Sequence, residues 1–288
     1  MKKKLMAVLL CAAMTGILLC GCGSSSSSST GTSSASKSAS TSAAASSSKS
    51  SELSSATLNV FIAASLSNVM EDLAKSYNTT QPNVKIQYNA DSSGTLQKQI
   101  EEGAECDMFF SAATDKMDTL NTDGYVIADT RTDLLENKVV LIKGKGSSTK
   151  VTGFQNITDA SNLALAGEDV PVGKYAREIF DSLGITDSVM SMEINECANV
   201  TAVLTAVAEG SNEVGVVYAT DAASMSDKVE VIAEAQEGSM KTAVYPVALI
   251  KNDKQDDAMK AAAEDFLKYL NSSEAAATFE KYGFTIHK

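Results

Sequence analysis

The sequence predicts an α/β protein made of two similar lobes, each a sheet covered by helices. Three observations lead there. From Thr57 onward, short apolar runs alternate with stretches of helical periodicity; a strong strand, KVVLIK (138–143), separates two sets of roughly three such units; and a later strand, YPVALIK (245–251), is followed by helical pattern. Strands joined by crossover helices imply mainly parallel sheets covered on both faces. One large sheet holding every unit also fits the pattern.

The elements follow in order. MKKKLMAVLLCAAMTGILLCGC has a basic start, an apolar stretch and small residues at a cleavage site, which marks residues 1–21 as an export signal. Its apolar run, Leu5 to Leu19, is short for a membrane span of about 20 residues. Leu19-Cys20-Gly21-Cys22 resembles a bacterial lipobox, so Cys22 is expected to carry a lipid; Cys20 is the poorer choice because bulky Leu19 precedes it. Residues 22–56, nearly all Ser, Ala, Thr and Gly, cannot bury enough apolar surface to offset ordering and read as a flexible tether. Some 34 such residues make an arm of roughly 30 Å.

The remaining chain of about 230 residues can bury a substantial core. LNVFI (58–62) precedes Leu66, Val69, Met70, Leu73 and Tyr77 at the spacing of one helical face. VKIQY (84–88) precedes a helix with Leu96 and Ile100, and DMFFS (107–111) one near Asp115–Leu120. After KVVLIK come LALAG (163–167) with a helix through Tyr175, Ile179, Phe180 and Leu183, then SMEIN (191–195) with Val200, Val203, Leu204 and Val207, then EVGVVY (213–218). Helices around Met259–Leu270 and Ala275–Tyr282 end the chain. In the two-lobe reading, residues 57–139 with 245–288 form lobe 1 and 140–244 form lobe 2. A ligand then belongs in the cleft, beyond the carboxyl ends of the strands.

Charge and rare residues exclude several classes. The formal net charge is −12, and removing the three lysines of the signal leaves −15, which disfavours nucleic acid or anionic lipid as a partner. Cys106 and Cys197 fall in different lobes and read as unpaired, buried thiols. The single histidine, His287, sits at what reads as a frayed C-terminus, which argues against a Ser-His nucleophile. No C-x-x-C, H-E-x-x-H or phosphate-loop motif occurs, so no enzyme and no cofactor are expected.

Candidate binding residues lie where strands meet helices. FIAASLSN (61–68) shrinks from large apolar residues to two alanines and a serine; Ser65 is expected as a helix N-cap, beside backbone N–H groups that form an anion site. ADSSGTLQKQI places Ser92, Ser93 and Gly94 at a second joint, EDVPVGKYAREIF places Pro171 and Val172 at a third, and NECANVTAVL opens a fourth around Ala198–Val200. Each alone is an ordinary joint. Tyr218, ending a buried strand, reads alone as a core residue whose hydroxyl finds a backbone partner.

FIAASLSN, SSGTLQKQIEEGAECDMFFSA, DVPVGKYA, VGVVYATDA, YPVALI and a final KYGF, in that order from about 57 to 286, resemble the molybdate-binding proteins of ABC importers. The resemblance implies a type II-like periplasmic-binding-protein clamp, each lobe a mixed, mainly parallel sheet flanked by helices. It implies ligand contacts from the hydroxyls of Ser65 and Ser93, the backbone N–H groups of Val172 and Val200, and the Tyr218 hydroxyl. Val172 stands where an alanine is usual and Thr201 where an arginine often follows the valine, which removes one charged support. Implied too are molybdate or tungstate as ligand, a permease partner, and a monomer anchored through Cys22 to the outer face of the cell membrane. The chemistry agrees: molybdate and tungstate are proton-free dianions, so their site needs donors only. Sulfate shares that requirement, and the sequence leaves a clamp for sulfate or another small anion open.

Overall fold

The computed structural model describes residues 52–288. The signal, Cys22 and most of the tether therefore lie outside the described residues. The end of the expected tether does not hang free: Leu53 N–H donates to Gln81 Oε1, Leu53 O accepts from Asn83 Nδ2, and Ala56 already lies in the first strand. Leu53 is the apolar residue that the serine-rich composition concealed, and it packs against the core.

The first three units are β1 (Ala56–Ala63), a 3-10 turn (Ala64–Leu66) and α1 (Ser67–Tyr77); β2 (Val84–Asp91) and α2 (Ser93–Glu101); β3 (Met108–Phe110) and α3 (Thr114–Thr122). β4 (Thr132–Asn137) leads straight into β5 (Val139–Gly144). Next come β6 (Leu163–Ala166) with α4 (Pro171–Ser182) and the short α5 (Thr186–Met190), then β7 (Ile194–Cys197) with α6 (Val200–Ala208), then β8 (Val214–Tyr218) with α7 (Ala219–Ser224). β9 (Val229–Glu234), β10 (Ala243–Leu249), α8 (Asp257–Leu270), α9 (Ser273–Lys281) and β11 (Thr285–Ile286) finish the chain.

There are two sheets, not one, with orders β11-β4-β10-β3-β1-β2 and β7-β6-β8-β5-β9. The orders correspond: in each sheet one strand is inserted between the third and fourth strands of a parallel set, β10 in the first and β5 in the second. Following the pairings, β1 to β4 run one way against β10 and β11, and β6 to β9 run one way against β5. The sheets are thus mixed: most strands of each share one direction, but because β5, β10 and β11 run against them, five of the nine pairings are antiparallel. The chain passes between them at Lys138 and returns after Glu234, so β5 and β10 are the two strands that enter a sheet from the other lobe. Pro246 fits within β10 because the ladder shifts register there.

The core follows the apolar pattern. Leu58, Val60 and Ile62 of β1 are fully buried, and α1 lays Val69, Met70, Leu73 and Tyr77 against the sheet, each worth about 1.5–3 kcal/mol on burial. α8 completes the first lobe, with Phe266 edge-on to Tyr77 at 5.0 Å between ring centroids. Two local expectations fail, and two strands were not foreseen. The SMEIN strand is displaced to Ile194–Cys197, because only those residues find partners, on β6. β4 (TDLLEN) and β9 (VEVIAE) are the two unforeseen strands, their short apolar runs being interrupted by charged residues. The C-terminus is not frayed: β11 pairs with β4 and His287 N–H donates to Leu134 O. Among the described residues no helix is long and apolar enough to cross a membrane.

Candidate functional site

The carboxyl ends of β1, β2, β6 and β7 converge on one small cavity between the two sheets. The chain leaving β1 contributes Ala63, Ala64 and Ser65; that leaving β2 contributes Asp91, Ser92 and Ser93; the start of α4 contributes Val170, Pro171 and Val172; and the start of α6 contributes Val200. Ala112, just after β3, and Tyr218, at the end of β8, close the wall. All five residues singled out as ligand contacts, Ser65, Ser93, Val172, Val200 and Tyr218, therefore meet.

Each joint offers donors for a local reason. α4 begins with Pro171 at its first position, where a missing N–H costs nothing, and the next N–H, of Val172, has no intrahelical partner. Asn199 caps α6 by accepting from Ala202 N–H at 3.0 Å, which leaves the N–H of Val200 to the cavity. Ser92, not Ser93, caps α2, accepting from Thr95 N–H at 3.1 Å. Ser93 is fully buried and its Oγ accepts from Ala112 N–H at 2.9 Å.

Ser65 departs from expectation. It is not an N-cap: β1 runs directly into the 3-10 turn, α1 starts two residues later after Leu66, and neither start has a side-chain cap. The Ser65 hydroxyl instead lies 3.0 Å from Tyr245 Oη. Ala63 and Ala64, with no side chain beyond Cβ, line the cavity beside Ser65.

Tyr218 is 1% exposed, and its hydroxyl has no hydrogen-bond partner in the protein. Its expected backbone partner is missing; the ring packs edge-on against Tyr245 at 5.6 Å between centroids. Burial holds both tyrosine hydroxyls well above their ordinary pKa, so each keeps its proton. No lysine or arginine lines the cavity among the described residues. The one carboxylate in the wall, Asp91, accepts through Oδ1 from Ser92 N–H at 2.7 Å and from Asn199 Nδ2 at 3.2 Å. Asp221, buried behind Tyr218, accepts from Tyr218 N–H and is pushed up to about 7 by burial.

The lobes meet around this cavity. Asn199 reaches Asp91 across the cleft, Lys174 donates to Asp115 at 2.8 Å, and Lys98 pairs with Asp169. Backbones touch as well: a Cβ on Gly94 would lie 2.3 Å from Asp169 O. Cys106 and Cys197 are free and buried outside the cavity wall, with both thiols pushed up by burial, and His287 pairs with Glu136 at 2.6 Å. Among the described residues no cluster of His, Cys, Asp and Glu could hold a metal ion.

Sequence reasoning missed Asn137, Ala112 and the hydroxyl of Tyr245. YPVALI marks Tyr245 only as part of a strand, and nothing local marks Asn137; both matter through partners more than 80 residues away.

Comparison with known proteins agrees with this geometry. Residues 58–285 match the family model described as bacterial extracellular solute-binding protein. A Bacillus subtilis protein provisionally named as an ABC transporter substrate-binding lipoprotein is 39% identical over 230 residues, 80% of this chain and 86% of its own length. The molybdate-binding protein ModA of Escherichia coli is 34% identical, over 80% of this chain and 89% of its own. The solved periplasmic molybdate-binding protein of Azotobacter vinelandii superposes with a TM-score of 0.68 at 20% identity, covering 80% of this chain and all of that one. This likeness shows the two-lobed clamp fold.

Proposed function

The chain belongs to the family of bacterial extracellular solute-binding proteins, and we propose that it captures molybdate, and tungstate with it, for delivery to the permease of an ABC importer. One observation carries the reading. The cavity presents the Ser65, Ser93 and Tyr218 hydroxyls with the Val172 and Val200 N–H groups and no lysine or arginine. A proton-free tetrahedral dianion accepts at every oxygen and matches such a wall; hydrogen bonds to a charged acceptor contribute about 1.5–3 kcal/mol each. Several together outweigh the repulsion from a net acidic surface, which salt screens over about 8–10 Å. Relatives named as molybdate-binding, such as the ModA protein of Escherichia coli, support the choice of ion.

The same reading makes the protein a carrier, not an enzyme, working as a monomer without metal or cofactor beyond its cargo and without nucleic acid. It places the carrier outside the cytoplasm, lipid-anchored through Cys22 to the outer face of the cell membrane. Calorimetry of the full chain with molybdate, tungstate, sulfate and hydrogen phosphate tests it. Tight binding of the first two alone is expected; sulfate binding of equal strength makes this a general dianion carrier, and no binding by any of the four removes the reading.

A further inference from the structure

A proton-free dianion needs each wall hydroxyl to point its proton inward, and a hydroxyl is free to rotate; the wall's one carboxylate, Asp91, already accepts through Oδ1 from Ser92 N–H and Asn199 Nδ2. Ser93 has its acceptor side occupied by Ala112 N–H, a group that can only donate. Ser65 has no such backbone donor. Its one neighbour is Tyr245 Oη, where either atom could be the donor.

The rest of the network decides the direction. Asn137 Oδ1 accepts from Lys138 N–H at 2.9 Å, which fixes the orientation of the amide. Its Nδ2 therefore faces Thr220 Oγ1 at 2.8 Å and Tyr245 Oη at 3.2 Å, and an amide nitrogen only donates. Tyr245 is fully buried and keeps its proton. With Asn137 donating into Tyr245 Oη, the tyrosine proton is free to be donated onward, and Ser65 Oγ at 3.0 Å is the acceptor within hydrogen-bond distance. Ser65 Oγ then accepts from Tyr245, and its own proton is left for the cavity.

We propose that Asn137 and Tyr245 are positioning residues that lock the Ser65 hydroxyl as a donor, making the site selective against anions that carry a proton. The proposal rests on the oxyanion-binding reading and deepens it. An anion bearing an O–H needs an acceptor at that oxygen, and a locked Ser65 withholds one. Releasing Ser65 lets its hydroxyl rotate and accept.

Titration calorimetry with molybdate and with hydrogen phosphate on four forms of the full chain tests this: wild type, Tyr245→Phe, Ser65→Ala and the double variant. Tyr245→Phe keeps the ring and is expected to weaken molybdate binding roughly three- to tenfold, part of one charge-assisted hydrogen bond. Hydrogen phosphate is expected to lose less or to gain, narrowing the ratio between the ions. In the Ser65→Ala background the same change is expected to cost under about twofold, because its effect passes through Ser65. Asn137→Asp gives a second route that leaves Tyr245 in place: its carboxylate accepts the tyrosine proton and reverses the relay, weakening molybdate at least as much. Full additivity in the cycle, or an unchanged ion ratio in both relay variants, overturns the proposal while leaving the carrier reading intact. Failure of the wild type to bind any oxyanion removes both.

Discussion

At the residue scale, binding and stability separate most cleanly at Tyr218. Its hydroxyl is buried without a partner in the protein, a cost to folding that a group bound in the cavity can recover. Tyr218→Phe is therefore expected to leave the ligand-free melting temperature unchanged or higher while weakening molybdate binding by about 1.5–3 kcal/mol, the scale of a hydrogen bond to a charged group. Thermal scans and titration of one preparation check both halves. Ser93→Ala should differ: it also strips Ala112 N–H of its acceptor, so about 1–3 kcal/mol of affinity is lost together with some stability. Asp221 supplies a pH dependence. Its folded pKa is raised to about 7 from an ordinary 3.8 by burial, so the stabilisation from its protonated form is present in full below about pH 4 and is lost as pH rises through 7. Asp221→Asn keeps an acceptor for Tyr218 N–H and should flatten the stability profile between pH 4 and 8 relative to wild type, measured by denaturant unfolding.

At the element scale, helix starts were readable because their chemistry is local. Pro171, Ser92 and Asn199 each belong at or beside a helix start whatever the fold. Gly94 shows where locality ends. It occupies the second position of α2, where alanine would favour the helix, yet a Cβ there would lie 2.3 Å from Asp169 O on the other lobe. Gly94→Ala is thus expected to leave the ligand-free protein as stable as wild type or slightly more so, and to weaken molybdate at least about tenfold, or 1.4 kcal/mol, by blocking closure. Equal affinity for the variant and the wild type would show that this contact is not needed in the bound state. Gly173 has a different duty within one lobe: its missing Cβ lets α4 start directly over Ala166 O and Gly167 O.

At the scale of the whole molecule, the lobes are held around the cavity by few bonds. Lys98–Asp169 and Lys174–Asp115 are exposed ion pairs, and such pairs typically contribute about 0–1 kcal/mol and weaken with salt. On the proposed function, the wall's donors are the main force for closure, acting through an ion that touches both lobes at once. Small-angle scattering should show compaction on adding saturating molybdate and none on adding chloride at equal ionic strength. An envelope unchanged by molybdate would contradict ligand-driven closure.

What could be read from the chain alone was whatever local pattern dictates: the alternation of strands and helices, the small residues at the strand ends, the capping chemistry, and through the order of those motifs the family and the cargo it suggests. Ser65 was legible as a residue at the cavity but not as a member of a 3-10 turn, because turn and cap share the same residue preferences. Tertiary structure alone decided that the units split into two sheets, that Gly94 abuts Asp169, and that Ser65 Oγ, Tyr245 Oη and Asn137 Nδ2 form one run of hydrogen bonds. Local sequence carries dihedral preference and periodicity; the direction of a hydroxyl proton depends on partners brought from 108 and 180 residues away, and only the folded chain puts them within 3.2 Å.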